Sequence, residues 1–500
     1  MKRLNRRQFL QASAAPGIAM ALEPMINSLG AQQSGRYGAT RKMPNILWIC
    51  TDQQRYDTIH ALGNKYIRTP NLDRLVATGT AFEHAYCQTP ICTPSRGSFL
   101  TGMYPSTIHA CMNGSDHWDE AAPLITKILA DIGYDCALAG KLHLSSAMAH
   151  EPERRPKDDG YRRFWYSHAP HQGIGKGNQY TEWLASIGQD YKKLKKKYGY
   201  IPARWHQTTW CADRAIEFMK EDRKGPWLCS VNIYDPHGPF DPPQEYVDRF
   251  DIGSLPEPLF RESDLEAQQR LAGVMFQTKA RRPTYPDAKL TLARYWAQIE
   301  LIDENVGRML NALEETGQRE DTLIIFSSDH GEMAGDHGLN KKGCRFYEGL
   351  VRVPLILSWP TRLKQGIRSG ALVELVDIAP TLLELTGVPV PETMQGKSLL
   401  PILEGKADPD KHRDFVRCVY YRALDGPESY ATMIRTREHK LVNYHGHKTG
   451  ELFDLTKDPH EFENQWGNPA YAAARFDLMK TSFDALALAV DTGPSRVGRY

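Results

Sequence analysis

Short apolar runs bounded by polar or turn residues recur along the chain. The clearest are Ile46–Cys50, Leu228–Ile233, Leu323–Phe326 and Pro354–Leu357. They are continuously apolar rather than alternating, which is typical of strands covered on both faces of a sheet. A stripe at helical spacing precedes the third run and consists of Tyr295, Ile299, Ile302, Val306 and Leu310. Alternation of such strands and helices predicts an α/β fold with a mainly parallel sheet.

The pattern changes after about residue 410 to short β-like segments joined by turn signals. These segments are Phe415–Tyr421, Tyr430–Arg435 and Lys440–Tyr444, and a helical pattern follows near Tyr471–Val490. They indicate an antiparallel meander followed by a helix. The sequence thus predicts a large α/β domain over residues 43–408 and a smaller C-terminal α+β subdomain over residues 409–500.

The overall charge gives no argument for a polyanionic partner. Lys and Arg number 62 against 60 Asp and Glu, a net charge of +2 over 500 residues. We therefore expect binding neither to nucleic acid nor to a membrane surface. No apolar run after residue 40 approaches the ~18 residues of a membrane span, so the mature chain is predicted to lack one. The basic run Lys192–Lys197 is interpreted as a solvated helix face rather than a contact for an anionic polymer.

The first 33 residues have the pattern of a twin-arginine export signal. A basic segment with Arg6 and Arg7 precedes a mildly apolar, Ala-rich stretch. We expect residues 1–33 to direct the chain to the twin-arginine export machinery, which carries folded proteins, and the mature protein to be periplasmic or secreted. The alternative is a basic terminus without signal function, because Pro16 and Glu23 interrupt the apolar stretch.

The nine cysteines are sparse for a chain of this length, and none forms a Cys-x-x-Cys pair. A zinc site or redox pair built on that spacing is therefore not indicated. In an exported protein, an odd number leaves at least one cysteine unpaired.

Polar side chains follow three of the predicted strands. Asp52 and Gln53 follow the first, His237 follows the second, and Asp329 and His330 follow the third. Loops at the carboxyl ends of parallel strands converge on one crevice, so these groups can meet, although each loop alone is also explained as a helix cap. Carboxylate and amide oxygens suit Ca²⁺ or Mg²⁺, whereas the imidazole also suits Mn²⁺ or Zn²⁺.

Cys92 stands directly before a predicted helix, with Arg96 in the same segment. A helix N-terminus and a nearby guanidinium both favour a thiolate, so one hypothesis is a cysteine nucleophile beside an oxyanion-binding helix end. That hypothesis leaves the acidic loops unexplained.

The segment Cys92-Thr93-Pro94-Ser95-Arg96 resembles the Cys-x-Pro-x-Arg signature of the formylglycine-dependent sulfatases of the alkaline phosphatase superfamily. The resemblance extends from about Pro44 to Trp466 and includes Gly140–Leu144, Pro236–Phe240, Ser328–Glu332, Arg352–Leu355 and Glu451–Leu455. It implies an alkaline-phosphatase-like mixed, mainly parallel sheet between helices, with a smaller C-terminal antiparallel-sheet subdomain.

The resemblance further implies that Cys92 is converted to formylglycine by a formylglycine-generating or sulfatase-maturating enzyme. Arg96 belongs to the maturation signal and steadies the hydrated aldehyde. One divalent cation is implied, with Ca²⁺ favoured over Mg²⁺ or Mn²⁺. Its implied ligands are Asp52, Gln53, Asp329, His330 and modified Cys92. Gln53 and His330 depart from the Asp and Asn of many relatives and are similar to the branch that includes phosphonate monoester hydrolases.

The same resemblance supplies candidate groups for the sulfate oxygens and the leaving group, namely Lys141, His143, His237 and Lys342. His237 is the candidate general acid, because an imidazole titrates near neutrality. Lys341 is the rival for the role of Lys342. By analogy with the phosphonate branch, Asn113 is a further substrate contact, with a simple turn residue as the alternative. A structural or solvent role is expected for His84, His109 and His117.

The leading hypothesis is hydrolysis of a sulfate ester, with a sulfated carbohydrate as the preferred substrate class for an exported enzyme. The first alternative is a phosphonate monoester or phosphodiester hydrolase on the same scaffold. The second is a non-catalytic binder of sulfated glycans.

Overall fold

The structure is a computed structural model that describes residues 43–115, 122–147, 153–170, 177–274, 279–284, 287–426 and 428–490. The predicted export signal and His117 lie outside the described residues. From Pro44 onward the described chain forms one compact unit.

The main sheet confirms the predicted mainly parallel α/β class. Its strands are β1 (Asn45–Thr51), β2 (Thr80–Tyr86), β3 (Asp135–Gly140), β4 (Tyr161–Tyr166), β5 (Trp227–Asn232), β6 (Thr322–Ser328), β7 (Arg352–Val353), β8 (Leu355–Ser358) and β9 (Ile367–Glu374). Their order is β4-β3-β5-β1-β6-β8-β2-β7, with β9 beside β2. The first five strands in this order, β4, β3, β5, β1 and β6, are parallel to one another. Strand β8 runs antiparallel to both β6 and β2. The four strands predicted from apolar runs are β1, β5, β6 and β8.

Helices lie on both faces of this sheet. The α-helices of the described chain are α1 (Pro70–Ala77), α2 (Cys92–Thr101), α3 (Ile125–Asp131), α4 (Gln179–Ser186), α5 (Tyr191–Tyr198), α6 (Gln207–Met219), α7 (Gln244–Val247), α8 (Glu262–Arg270), α9 (Asp287–Glu315), α10 (Glu348–Val351), α11 (Ile378–Thr386), α12 (Leu400–Leu403) and α13 (Ala472–Ala487). Leu47 and Ile49 of β1 join a buried cluster with the apolar faces of α1, α6 and α9. Trp48, on the opposite face, packs against Phe99 of α2 with ring centroids 5.3 Å apart. Both faces of β1 are therefore buried, as its continuous apolar pattern predicts.

The predicted helical stripe lies on α9, and all five of its residues are buried. The chain turns just after this helix at Gly317, whose φ is +67°. Among the described helices, none is both long and apolar enough to cross a membrane. The basic run is on α5, where Leu194 is the buried residue and Lys195 pairs with Asp241, as in a solvated helix face. All nine cysteines lie in the described residues, and all are free thiols.

Strand register brings several loops to one edge of the sheet. Cys50 of β1 is level with Asn232 of β5, which is level with Gly140 of β3. Thr51 is level with Ser328 at the end of β6. The residues that follow these strands therefore emerge together at their carboxyl ends, where ligands bind in open α/β sheets.

The C-terminal sheet is antiparallel in chain order and consists of β10 (Val416–Tyr421), β11 (Tyr430–Arg435), β12 (His439–Tyr444) and β13 (Gly450–Asp454). Leu478 of α13 packs on this sheet against Ile434, Leu441 and Leu452. The sequence predicted the first three strands and the helix, whereas β13 entered only as a family motif. The boundary at residues 408 and 409 stays a prediction.

A buried ion cluster connects the C-terminal sheet to the α/β part of the chain. Lys440 of β12 is 1% exposed. Its Nζ lies 2.8 Å from Glu348 Oε1 of α10 and 2.6 Å from Glu461 Oε1. It also donates to the carbonyl oxygen of Phe346 at 2.8 Å. Removing one partner of such a cluster leaves buried charge without compensation.

We predict that Lys440→Met lowers the free energy of unfolding by about 3 to 5 kcal/mol, because Glu348 and Glu461 lose their shared cation. Lys457→Met is the matched control, since Lys457 pairs with Asp454 but is 73% exposed, and solvent screening makes the loss of such a pair much less costly. Urea unfolding followed by circular dichroism measures both. Equal losses for the two variants would contradict the role of the buried cluster.

Candidate active site

Cys92 is the first residue of α2 and is fully surrounded by protein. Its Sγ accepts a hydrogen bond from Lys342 Nζ at 2.7 Å. The same sulfur lies 3.3 Å from His330 Nε2 and 3.6 Å from Asp52 Oδ1. The structure therefore gathers residues from two distant parts of the sequence around this side chain.

Local chemistry explains where α2 begins and how it is held. Pro94 lies in the first turn, where a missing backbone N–H costs no helical hydrogen bond. Ser95 Oγ donates to the carbonyl oxygen of Asp329 at 2.6 Å, which fixes the helix start to the loop after β6. Gly102 ends the helix in the left-handed conformation with φ of +70°. Cys92 is thus presented at the N-terminus of a buried helix.

Asp52, Cys92, Asp329 and His330 form a group that fits a divalent cation. One ligand atom from each lies within 4.8 Å of the other three, and all four residues are buried. His330 Nδ1 contacts the carbonyl oxygen of Gly331 at 2.9 Å, which leaves Nε2 to face the group. Two carboxylates and an imidazole suit Ca²⁺, Mg²⁺ or Mn²⁺.

Gln53 lies beside this group with its backbone in the left-handed region, at φ of +72°. Its N–H donates to Asp329 Oδ1 at 3.0 Å, and its carbonyl oxygen accepts from the Tyr295 hydroxyl at 2.7 Å. Its side-chain amide donates to Glu332 Oε2. The backbone of Gln53 is therefore fixed, while its role as a cation ligand stays a prediction.

Buried cations neutralise the two aspartates. Arg96 Nε donates to Asp329 Oδ2 at 2.8 Å, and its Nη2 lies 3.3 Å from Asp52 Oδ2. Lys141 Nζ pairs with the same Asp52 oxygen. Burial opposes ionisation of Asp52, but Lys141 and the other nearby cationic groups outweigh it and hold the pKa of this carboxyl well below its usual range.

Close backbone approach positions Lys141. A Cβ on the preceding Gly140 would lie 2.0 Å from the carbonyl oxygen of Asn232, and φ at this glycine is +114°. Both observations restrict the position to glycine. The Lys141 N–H then donates to that oxygen at 2.9 Å, and the Lys141 carbonyl oxygen accepts from Arg96 Nη1 at 3.0 Å.

The cations also act on Cys92. Burial and the Asp52 carboxylate both raise the pKa of the Cys92 thiol, but Lys141 and Lys342 overcome them, so this pKa lies below its ordinary value. For Lys342, burial opposes the charge, whereas Cys92 and Asp52 raise the pKa of its ammonium group above the ordinary value. Lys342 is therefore a resident cation of the site.

The structure separates the two rival lysines. Lys342 contacts Cys92, whereas the Lys341 side chain is exposed and Lys341 bonds through its backbone, with its N–H donating to Glu332 and its carbonyl oxygen accepting from Met333. His237 lies close enough to affect the pKa of Asp52. Its Nδ1 lies 2.8 Å from both the Tyr234 hydroxyl and the Gly238 carbonyl oxygen, which leaves Nε2 for a substrate.

His143 and Asn113 also approach the site. The His143 ring makes an edge contact with His168 at 4.5 Å between centroids, and burial followed by Lys141 holds the pKa of His143 well below its ordinary value. Asn113 Oδ1 accepts from the backbone N–H of Thr93 at 3.2 Å. Asn113 thus lies beside the start of α2, next to Cys92, and its amide oxygen already accepts from the backbone there.

Sequence reasoning missed Glu332 and His168. Glu332 was within the Ser328–Glu332 motif, but nothing in its spacing indicated a contact with Gln53. No described residue hydrogen-bonds either ring nitrogen of His168. His84, expected to be structural, lies within β2, where burial followed by Arg352 and Arg435 lowers its pKa to about 3. His109 lies after α2, with φ of +52°.

Comparison with known proteins identifies the family. The sulfatase family model matches residues 44–388, which is more than half of the chain. The chain belongs to the sulfatase family. A second model, the C-terminal region of N-sulphoglucosamine sulphohydrolase, matches residues 335–486. The sulfatase resemblance of the Cys92 segment is thereby confirmed, and the protein is an enzyme of this family.

Individual relatives span nearly the whole sulfatase chain. An arylsulfatase of Clostridium perfringens is 30% identical, over 87% of this chain and 93% of its own. The phosphonate monoester hydrolase structure of Agrobacterium radiobacter is 26% identical, with a TM-score of 0.76 over 89% of this chain and 96% of that one. A protein solved with its substrate D-glucosamine-2-N,6-O-disulfate is also 26% identical, with a TM-score of 0.70 over 91% of this chain and 100% of that one.

We predict that Lys342→Ala lowers kcat for an aryl sulfate by about 100-fold, because it removes a cation from the position where charge develops. Lys341→Ala retains near-native kcat, since its side chain is exposed and the substitution keeps the backbone N–H. Initial rates of phenol release measure both. A larger loss for Lys341→Ala than for Lys342→Ala would reverse the assignment.

Proposed function

We propose that this sulfatase hydrolyses a sulfate ester to an alcohol and inorganic sulfate, using formylglycine derived from Cys92 and one divalent cation. The observation that carries the proposal is the position of Cys92 Sγ, 2.7 Å from Lys342 Nζ and 3.3 Å from His330 Nε2, at the edge of a buried carboxylate pair. A simple thiolate nucleophile explains the cations but not the four-residue group that fits a metal.

Two groups supplied to the site provide the central chemistry. A hydrated formylglycine at position 92 would supply one hydroxyl to attack sulfur, with the S–O bond to the alcohol breaking, and a second hydroxyl whose deprotonation would expel sulfate and restore the aldehyde. Asp52, Asp329, His330 and Gln53 would hold a divalent cation, which would supply polarisation of oxygen and stabilisation of the ionised nucleophile. Arg96 holds both aspartates in place for these tasks.

The cations of the chain act on the substrate. Lys141 and Lys342 lie where the anionic sulfuryl oxygens must approach position 92, and they stabilise charge that grows in the transition state. His143 completes this side of the site. The cationic contact of Lys141, together with an imidazole N–H from His143, favours sulfate as the substrate group.

His237 is the candidate to protonate the departing alcohol, with Lys342 assisting. In the free site, burial and then Lys342 hold the pKa of His237 well below its ordinary value. A bound anionic ester favours the imidazolium, because a nearby opposite charge stabilises the charged form. Proton delivery from His237 is therefore coupled to substrate binding.

A sulfated carbohydrate is the proposed substrate class. The support is the likeness to a protein solved with a disulfated glucosamine as its substrate, together with the export pattern of residues 1–33. An exported enzyme meets sulfated polymers and their oligosaccharides.

A phosphonate monoester or phosphodiester hydrolase is the second candidate. Gln53, His330 and Asn113 favour it, and the phosphonate monoester hydrolase structure has a TM-score of 0.76 to this chain. A non-catalytic glycan binder has less support, since Cys92, the metal-type group and His237 are all present.

We expect a clear kcat/KM preference for an aryl sulfate over the matching aryl phosphonate and phosphodiester, and sulfate release from defined sulfated oligosaccharides. Cys92→Ala is the control for background hydrolysis, since it removes the nucleophile. A preference for phosphorus esters would establish the second candidate. Binding of sulfated oligosaccharides without any release of sulfate would establish the third.

We also predict two features of the protein isolated from the periplasm of its native host. Mass spectrometry should show an N-terminus beyond the predicted signal of residues 1–33, and an aldehyde rather than a thiol at Cys92. Replacing Arg6 and Arg7 by Lys should retain the protein in the cytoplasm. An intact Cys92 thiol in active periplasmic protein would refute the formylglycine mechanism.

A further inference from the structure

The side-chain amide of Gln53 has one end that accepts hydrogen bonds and one end that donates them, and it lies beside a candidate cation site. The carbonyl oxygen can ligate a hard cation, whereas the NH₂ group only donates hydrogen bonds. Rotation of the side-chain amide by half a turn would exchange them. The backbone of Gln53 is fixed by Asp329 and Tyr295, but those contacts do not choose between the two amide orientations.

Glu332 selects one of the two orientations of the Gln53 amide. Its Oε2 accepts the hydrogen bond from Gln53 Nε2, and both residues are buried, at 1% and 3% exposure. A carboxylate is an acceptor only, so it rejects the orientation in which the amide oxygen faces it. The amide oxygen of Gln53 accepts no hydrogen bond from any described residue, and it therefore remains available to a cation.

Glu332 is itself held by the backbone. Its other oxygen, Oε1, accepts from the N–H of Ala334 at 3.0 Å and from the N–H of Lys341. No Lys, Arg or His side chain in the described ranges lies within ion-pair distance of this carboxylate. Glu332 thus places a carboxylate, which has no ion-pair partner among the described residues, next to the group that fits a metal.

We propose that Glu332 is a positioning residue of the cation site, which orients the Gln53 oxygen toward the cation and supplies a third carboxylate charge behind it. This inference rests on the cation of the proposed function. It also connects the two sides of the site, because the Lys341 N–H held by Glu332 immediately precedes Lys342, which contacts Cys92.

The test uses the fixed orientation of residue 332. In Glu332→Gln, the two backbone N–H groups hold the new amide oxygen at the Oε1 position, so its NH₂ group faces Gln53. Two NH₂ groups cannot hydrogen-bond each other, and Gln53 must turn its own NH₂ toward the cation. We expect Ca²⁺ affinity to fall about 10- to 100-fold, the usual size of effects from partners of metal ligands.

The double variant Gln53→Glu with Glu332→Gln exchanges the acid and the amide. The NH₂ group at position 332 then donates to the carboxylate at position 53, whose second oxygen faces the cation. We expect this exchange to recover most of the lost Ca²⁺ affinity. Because a new carboxylate ligand raises Ca²⁺ affinity by its charge alone, a purely structural role for Glu332 predicts that Gln53→Glu changes the affinity by the same factor in wild type and in Glu332→Gln, whereas orientation by residue 332 predicts a larger gain in Glu332→Gln.

Asp303→Asn is the matched control. Asp303 is also buried, at 2% exposure, and also accepts only N–H donors, including the backbone N–H of Leu72 at 2.7 Å. Isothermal titration calorimetry measures Ca²⁺ affinity for wild type and all variants, and thermal unfolding of the cation-free proteins reports folding separately.

Each outcome decides a different point. Weakened binding in Glu332→Gln, a larger gain from Gln53→Glu in Glu332→Gln than in wild type, and native affinity in Asp303→Asn support the proposal. Equal Ca²⁺ affinity in wild type and Glu332→Gln, or the same gain from Gln53→Glu in both, overturns it and leaves the proposed function intact. A wild-type protein that binds neither Ca²⁺, Mg²⁺ nor Mn²⁺ overturns both.

Discussion

The structure depends on compensating two carboxylates that have no access to water. Asp52 and Asp329 are both 0% exposed, and an ionised carboxylate in such a place costs several kcal/mol unless charges and hydrogen bonds offset it. Arg96 bridges the two, and Lys141 pairs with the first. These contacts connect α2 to the ends of β1, β3 and β6. The position of Cys92, four residues before Arg96, follows from that same connection.

The cations that neutralise the aspartates also face the reacting position. Lys141 touches Asp52 and lies 5.5 Å from the centroid of the Tyr234 ring, and Lys342 touches Cys92. Their positive charge lowers the pKa of Cys92 against the opposing effect of burial, and it adds to burial in lowering the pKa of His237. An anionic ester therefore enters a site whose charge is already arranged, and this reduces the reorganisation needed during reaction.

The sequence indicated the parts of the fold whose pattern is simple. Continuously apolar β1, β5, β6 and β8 were predicted, and the stripe on α9 was predicted because it repeats at helical spacing. Strand β2 was missed since its sequence mixes Glu83 and His84 with apolar residues, and β3 was missed because it is rich in small residues. Such strands are specified by their neighbours in the sheet rather than by their own pattern.

In the candidate site, too, some residues could be predicted from the sequence and others could not. Motif and strand order predicted that Asp52, Cys92, Asp329 and His330 meet. The choice of Lys342 over Lys341 required the loop conformation, since both residues are lysine and only the backbone decides which side chain points inward. The role of Glu332 could be found only from its contact with Gln53 in the structure, because the two residues are 279 positions apart in the sequence.

The burial of α2 determines when Cys92 can be modified. Every residue from Cys92 to Thr101 is buried in the folded chain, so a modifying enzyme cannot bind the Cys92–Arg96 segment once folding is complete. If Cys92 is converted to formylglycine as proposed, the conversion must act on the nascent or unfolded chain. If the chain also leaves the cytoplasm folded by the proposed twin-arginine route, the fraction of active enzyme is fixed before export.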